Sequence, residues 1–564
     1  MTAKRMNWLL AGACFLAFTA CLNYPFLRSQ DDWAYVTANP HLLAGWSHFI
    51  QLACTPVLEL STPLPQVSYL VDYTIAGIEP WIYHIINILW HTGMVLLVFL
   101  LFRELGLQRN LAFFAALIFA IHPQRVESVV WISERKDVMC GFFFVLCCVS
   151  FLAFNRHVRP ASQICRWVSL TAMAAALACK PSAAALPFVL VALDFHRTRK
   201  FRFKPAVWHF VILAGYFLAA RSVLTGTGKN LSEGGIRLML AIRNYCVYFL
   251  KTIYPAEVNP LYPYIELNWK DYALVGLCLA VLTGLFFRYR RKVVFDVLPM
   301  LFCAGLVLAP VSGVMIFSNA DFADRYSYIP SIFFLAAIFF LLPPIPEKFR
   351  KWAFCYPAVL LICTWSYLPC WNGDEALLER ASSVPSSNFR GTAQYAILLA
   401  EQGKAAEGLQ AFENCGKNDP RTIQYKDYLQ SLQQMLQLMI RYQAGESPGK
   451  LYPEFSALLT PECTRLHLQQ LSYTALIPFQ TAHADCALKA GKPEKAAEIY
   501  ESLARAYPVE PFTAPFYMGV AKMLRRDAAG AVGCFERALA ASPHDEPTKL
   551  NLENARRLAS RKQL

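Results

Sequence analysis

Two adjacent carboxylates, Asp31 and Asp32, sit in the loop Arg28-Ser-Gln-Asp-Asp-Trp-Ala-Tyr-Val-Thr-Ala-Asn-Pro40, just past the first apolar stretch, Trp8 to Leu22. Carboxylates at a membrane boundary are costly to desolvate and well placed to take a proton from an incoming nucleophile. That makes the pair a candidate catalytic centre, with Asp32 slightly favoured as the base. The competing reading has one acid capping the following helix and the other simply solvated.

Three further groups could share that chemistry. The stretch His122-Pro-Gln-Arg-Val-Glu-Ser-Val-Val-Trp-Ile-Ser-Glu-Arg-Lys-Asp137 alternates Glu127, Glu134 and Asp137 with Arg125, Arg135 and Lys136. It reads equally as an internally paired network or as a short amphipathic helix at the interface. Lys180, in Lys-Pro-Ser at a tight turn between two apolar runs, can snorkel to the headgroups or receive a phosphate. Arg325, at the start of Asp324-Arg-Tyr-Ser-Tyr-Ile-Pro330, suits bidentate binding of a lipid-linked phosphate, or a salt bridge to Asp321 or Asp324. His84, Asn87 and His91 share one face of an apolar helix, where bonding to neighbouring helices is the simpler expectation.

These residues need a membrane scaffold to hold them. The 564 residues are 56% hydrophobic and 16% charged, against about 25% charged in an average soluble domain. The net charge of +14 does not indicate nucleic acid, because the basic residues cluster in short loops between apolar spans. Expected spans are roughly 7–24, 81–102, 111–122, 138–154, 166–180, 182–195, 206–223, 271–287, 293–317, 328–343 and 352–369. The stretch 236–254, with Arg237, Arg243 and Lys251, reads as an interfacial helix. Placing the N-terminus inside, as an uncleaved signal anchor behind Lys4 and Arg5, puts the arginine-rich loops inside and Asp31, Asp32, Glu127, Glu134, Asp137 and Asp324 outside. About eleven crossings result. Many of the 18 cysteines lie in apolar runs and read as buried hydrophobes, and no Cys/His spacing indicates zinc. Pairing among Cys415, Cys463, Cys486 and Cys534 is open.

After Trp371 the composition turns to Ala, Glu, Gln and Lys with helical periodicity. Three windows match the tetratricopeptide pattern, in which small residues let paired helices approach. They hold Ala396, Gly403, Gly408, Phe412, Cys415 and Pro420; Ala484, Gly491, Ala496, Tyr500 and Pro508; and Gly519, Ala531, Phe535, Ala538 and Pro543. The expected organisation is an all-α chain: a polytopic membrane domain over 1–370, a linker over 371–387 and an α-solenoid over 388–564.

No Gly-rich nucleotide loop is present, so an activated donor on the outer face has to be membrane-borne. At this point the chain resembles the transmembrane and tetratricopeptide-repeat-containing O-mannosyltransferases and their bacterial relatives, in the GT-C glycosyltransferase superfamily. The matching pieces are Asp31-Asp-Trp-Ala-Tyr-Val…Asn39-Pro, His84…Asn87…His91, Ile121 to Asp137, Cys179-Lys-Pro-Ser…Leu186-Pro, Tyr245 to Pro255 and Asp324 to Pro330. The resemblance implies an inverting hexosyltransferase (a GT-C-like membrane domain) that moves a mannose-like sugar from a polyprenyl-phosphate donor to a hydroxyl, protein Ser or Thr, on the extracytoplasmic face. It implies Asp31 or Asp32 as base, and Arg325 and Lys180 at the donor phosphate. His122, Glu127, Glu134, Arg135 and Asp137 would shape the active-site mouth. No metal is required in principle, and a divalent metal (Mg or Mn) bridging the first-loop acid and the phosphate stays open. The repeats would hold the acceptor or a partner protein. Two other readings remain: a non-enzymatic membrane-anchored scaffold, and a lipid-linked-saccharide transporter, for which the internal symmetry of many transporters is lacking.

Overall fold

The computed structural model describes residues 2–58, 60–155, 161–219, 234–262, 265, 267–312, 322–343, 352–383, 389–415, 426–460, 476–506, 512–541 and 545–561. Among them the chain is helical, with no strand and one isolated bridge, Val57 to Leu60. It divides into two units. The first takes residues 1–26 and 45–373, the second 27–44 and 374–564. The first loop, with Asp31 and Asp32, therefore belongs to the second unit and not to the expected 1–370 domain.

The principal helices of the first unit are α1 (Ala3–Phe18), α2 (Pro63–Ala76), α3 (Pro80–Glu104), α4 (Arg109–Ile121), α5 (Val126–Val130), α6 (Arg135–Phe154), α7 (Ala161–Cys179), α8 (Leu186–Thr198), α9 (Val207–Ala219), α10 (Gly234–Ile253), α11 (Trp269–Lys292), α12 (Leu298–Leu308), α13 (Pro330–Leu341) and α14 (Cys355–Tyr367). Five helical runs among the described residues are long and apolar enough to cross a membrane: 3–23, 80–104, 132–154, 269–311 and 352–371. The bent pair α4 and 123–130 makes a sixth. The chain is an integral membrane protein. The expected span 271–287 and the start of 293–317 share one helical run over 269–311, kinked at Tyr289 and carrying a π turn at Val293–Val297; 313–317 lie outside the described residues. Helices α8, α9 and α13 have 13, 13 and 12 residues, about 20 Å each at 1.5 Å per residue, against roughly 30 Å of hydrocarbon.

The breaks matter more than the spans. Pro123 has no N–H to continue α4, so the helix stops at Ile121 and the next segment turns away by 56°. The His122 side chain caps the new turn by accepting the Gln124 N–H at 3.3 Å. A second break at Trp131 (φ −69, ψ 115) separates α5 from the 3-10 turn 132–134 that starts α6. Carbonyls freed at such breaks need partners, because the bilayer core supplies none. Thr364 Oγ1 donates to the Ile121 carbonyl at 2.6 Å and Tyr69 OH to the Ile132 carbonyl at 3.0 Å. His91 Nε2 lies 2.9 Å from the Ala120 carbonyl, and Asn87 Nδ2 reaches those of Val129 and Ile132 at 3.4 and 3.3 Å. His84 bonds the Tyr24 carbonyl at 3.1 Å. The polar face of α3 thus bonds to neighbouring segments, as its spacing suggested.

In the second unit the expected linker 371–387 is helical over much of its length: α15 (Asp374–Ser383) buries Leu377, Leu378 and Ala381. It is followed by α16 (Phe389–Glu401), α17 (Ala405–Cys415), α18 (Lys426–Gln443), α19 (Pro448–Leu458), α20 (Ile477–Lys489), α21 (Pro493–Ala506), α22 (Thr513–Leu524), α23 (Ala528–Ala541) and α24 (Glu546–Arg561), each packed on the next. Four of the turns repeat one device. The second residue after the helix enters the left-handed region and its N–H bonds back into the last turn, at Gly403, Gly445, Gly491 and Arg526 (φ 85, 78, 74 and 62). Close approach explains two other glycines. A Cβ on Gly408 would stand 2.6 Å from the Ala396 carbonyl oxygen, and one on Gly519 would stand 2.6 Å from the Phe535 ring. Pro420, Pro508, Pro543, Cys463 and the Cys415 side chain lie outside the described residues; Cys486 and Cys534 are free thiols.

Candidate functional site

The two breaks in 122–134 turn Glu127 and Glu134 toward the segment that opens at Asp324. The Arg325 backbone N–H donates to Glu127 Oε2 at 2.9 Å, and its guanidinium forms an ion pair with the same carboxylate. Arg325 Nε lies 3.5 Å from Glu134 Oε1, and the guanidinium covers the Trp131 ring at 5.3 Å. Lys180, delivered by the turn between α7 and α8, forms an ion pair with Asp137 and stands 3.8 Å from Glu134 Oε2. Lys136 Nζ is 3.1 Å from Glu134 Oε1. Three carboxylates therefore face three cations, which is how buried charge is tolerated. The layering is informative: the Arg325 and Lys180 side chains are 17% exposed, against 1% for Glu127 and 2% for Glu134. Arg325 and Lys180 are the more accessible members and Glu127 and Glu134 lie beneath them, while Lys136 and Asp137 are both 7% exposed. Burial works against the Lys180 ammonium, but Asp137 and Glu134 outweigh it and hold the group above its ordinary range. The N–H groups of a guanidinium and an ammonium are the donor types that recognise phosphate or carboxylate oxygens.

A second layer fixes the segment that carries Arg325. The Asp324 carboxylate, fully buried, accepts from Tyr262 OH at 2.6 Å and from Gln124 Nε2 at 3.3 Å, with Lys251 Nζ at 3.6 Å. Burial, and then the Asp324 charge, push the Tyr262 phenol well up, so it stays a donor. Arg125 donates to the Ser327 hydroxyl at 2.7 Å and the Tyr328 carbonyl at 2.9 Å. Sequence reasoning noticed Lys251 only as an interfacial charge and passed over Tyr262. A lysine and a tyrosine in apolar surroundings needed the fold to reveal Asp324 as their shared partner.

Two residues expected at the mouth, Arg135 and His122, are buried. Arg135 has a fully buried side chain. It pairs with Asp72, donates to Asn87 Oδ1 at 2.8 Å and the Tyr83 carbonyl at 2.8 Å, and lies over the Tyr69 ring at 4.5 Å. With every one of these contacts turned into the protein, it holds the start of α6 in place. Burial raises the Asp72 carboxyl while Arg135 opposes the rise. His122, 3% exposed, uses Nδ1 on its turn, and its buried Nε2 has no hydrogen-bond partner among the described residues. Arg325 finds its partners in Glu127 and Glu134; Asp321, one partner considered, lies outside the described residues.

Asp31 and Asp32 are described with the second unit. Asp32 is 1% exposed, and its Oδ2 accepts the Leu27 N–H at 3.0 Å. Asp31 is partly exposed, and its carbonyl accepts the Ala34 and Tyr35 N–H groups at 3.0 and 3.1 Å, starting the π turn Trp33–Thr37. Asp374 holds the loop, accepting the Arg28 and Ser29 N–H groups at 3.1 and 2.7 Å. Asn39 caps the next turn through the His41 and Leu42 N–H groups at 3.1 and 3.2 Å. Of the two carboxylates, Asp32 braces the loop and Asp31 is the more exposed. The structure does not place this loop in the same unit as the Arg325 cluster. Among the described residues no group of three or more His, Cys, Asp or Glu is placed to hold a metal.

The chain is similar to protein O-mannosyl-transferases. The mouse protein O-mannosyl-transferase TMTC1 is 31% identical over 161 residues, covering 27% of this chain and 17% of the relative. Human TMTC2 is 36% identical over 156 residues (28% and 18%), and human TMTC4 is 29% identical over 136 residues (21% and 18%). The chain thus spans less than a fifth of the length of these relatives. No family model matches. Among solved structures, ArnT from Cupriavidus metallidurans bound to undecaprenyl phosphate aligns over 92% of this chain and 85% of its own, at 15% identity and a TM-score of 0.35.

Proposed function

We propose that the chain is an inverting membrane glycosyltransferase of the GT-C type, moving a mannose-like sugar from a polyprenyl-phosphate donor to a hydroxyl acceptor, protein Ser or Thr, on the extracytoplasmic face. The observation that carries the reading is the layered charge cluster, with Arg325 and Lys180 outermost over buried carboxylates. The similarity to protein O-mannosyl-transferases gives the chemistry to test.

The acceptor hydroxyl gives its proton to a first-loop carboxylate as its oxygen attacks the anomeric carbon from the face opposite the phosphate. The bond from that carbon to the phosphate oxygen breaks, and polyprenyl phosphate leaves with one more negative charge than it carried in the donor. Arg325 and Lys180 match that extra charge, which is how a fixed site favours the transition state over the ground state. Asp31 suits the base better than Asp32, because a base has to reach its substrate and Asp32 is buried on the Leu27 N–H. Glu127, Glu134 and Asp137 hold the two cations in place until the donor arrives. The N-terminus is assigned to the cytoplasm and the helical tail, read as tetratricopeptide repeats that hold the acceptor or a partner protein, to the outer side, as the distribution of basic loops suggests. A divalent metal is left as a variable for the assay, and no step is routed through one.

The test is transfer from radiolabelled polyprenyl-phosphate mannose to endogenous protein in membranes that carry wild type, Asp31→Asn or Asp32→Asn, with and without chelator. Wild-type labelling that collapses in Asp31→Asn, with the variant present at normal level, supports the reading. No labelling from any polyprenyl-phosphate sugar, with both variants rescuing a null strain, would favour a scaffold instead.

A further inference from the structure

A separate feature lies on the hairpin of α8 and α9. A groove of about 390 Å³ runs between Phe188, Phe203, Val207, Phe210 and the aliphatic stem of Lys204, and its wall is almost wholly apolar. Phe188 and Phe210 meet edge to face at 5.1 Å. Phe203 is 61% exposed, so the trough opens to its surroundings. The adjoining loop holds five cations between Arg197 and Lys204, and three of them are committed. Arg197 donates to the Leu152 carbonyl at 2.6 Å, Arg199 pairs with Asp296 at 2.8 Å, and Arg202 pairs with Asp194 at 2.5 Å. The arginines thus use both nearby acids. Lys200 and Lys204 are exposed, with no carboxylate of the described residues in ion-pair range. Phe201, stacked on Phe195 at 4.3 Å, and Trp208 stand exposed beside them, as aromatic residues do at headgroup level.

An apolar trough with two uncommitted ammonium groups beside it is complementary to an amphiphile with an anionic head. We propose that this groove holds one anionic glycerophospholipid, its acyl chain along Phe188, Phe210 and Val207 and its phosphate at Lys204 and Lys200. A second copy of the chain is the poorer occupant, since a twofold contact would bring the same lysines against each other. The inference is independent of the transfer reaction.

Native mass spectrometry of the full-length protein in detergent tests it, using phosphatidylglycerol and phosphatidylcholine of matched acyl chains. Wild type is expected to retain phosphatidylglycerol on the order of tenfold better, from lysines that each contribute to binding near an anionic headgroup. Lys200→Gln/Lys204→Gln should remove that preference. Val207→Trp, which fills the trough and leaves the charges, should reduce retention of both lipids. Equal retention of the two lipids by wild type, or an unchanged preference in the double lysine variant, overturns the proposal. So does a dimer that Val207→Trp dissolves. If the lysine variant fails to fold, unchanged lipid retention in Val207→Trp alone overturns the proposal.

Discussion

The segment 122–137 and the helical tail after Gly373 use charge in opposite ways. In the first, Glu127, Glu134, Arg135 and Asp137 have almost no access to solvent, and each is tied to a partner remote in sequence: Arg325, Lys180 or Asp72. In the tail, Arg441 with Glu446 and Glu454, and Lys495 with Glu498, pair at the surface close along the chain. Buried pairs are costly to break because the remaining charge is stranded, while exposed pairs contribute little. The membrane unit is therefore held in register by its ions, and the tail by the fit of small residues between helices. Substitutions should separate the two regimes.

The largest effect is expected at Arg135→Met, which strands Asp72: a loss of about 3–5 kcal/mol, the usual cost of breaking a buried pair, read as a collapse of thermal stability in detergent. Adding Asp72→Asn should recover part of it; no recovery would show that Arg135 acts through its bonds to Asn87 and the Tyr83 carbonyl instead. Next comes the tail's packing. Gly408→Ala places a methyl 2.6 Å from a backbone oxygen, and overpacking of this kind costs about 1–3 kcal/mol. Gly519→Ala should cost less, because the Phe535 ring can turn where a carbonyl cannot. Equal melting shifts for the two would contradict that distinction.

A smaller effect belongs to His483, whose pKa burial lowers from 6.5 to about 4. Below pH 6.5 the unfolded chain takes up a proton that the folded chain refuses, so this residue's share of stability is complete above pH 6.5 and falls as pH drops toward 4. Melting curves at pH 7 and 5 should converge in His483→Gln relative to wild type. Smallest of all, Arg441→Ala should leave the melting temperature without a resolvable shift, since its two ion pairs are at the surface.

Much of this was legible in the sequence, and the limits have physical causes. Apolar length and the halt at Pro123 are local properties, so the main spans and the break after Ile121 could be read directly. The charged residues around it were visible as candidates, but their pairing was not: Glu127 and Arg325 lie 198 residues apart, and only the packed helices bring them together. That is also why the contacts of Arg135 with Asp72, Asn87 and the Tyr83 carbonyl could not be foreseen. The choice between Asp31 and Asp32 was equally hidden, because it turns on one backbone bond, Leu27 N–H to Asp32. The helix in the expected linker was missed because its buried face, Leu377, Leu378 and Ala381, is short and set in a polar stretch.

The central claim is that Arg325 and Lys180 form an anion site for a lipid-linked phosphate. Its most direct test is the affinity of purified full-length protein for a polyprenyl phosphate, in wild type, Arg325→Lys and Lys180→Met. The account predicts at least about tenfold weaker binding in Lys180→Met, corresponding to roughly 1.4 kcal/mol, and weaker binding in Arg325→Lys, where the bidentate fork is lost. Undiminished affinity in both variants, with folding intact, would contradict it.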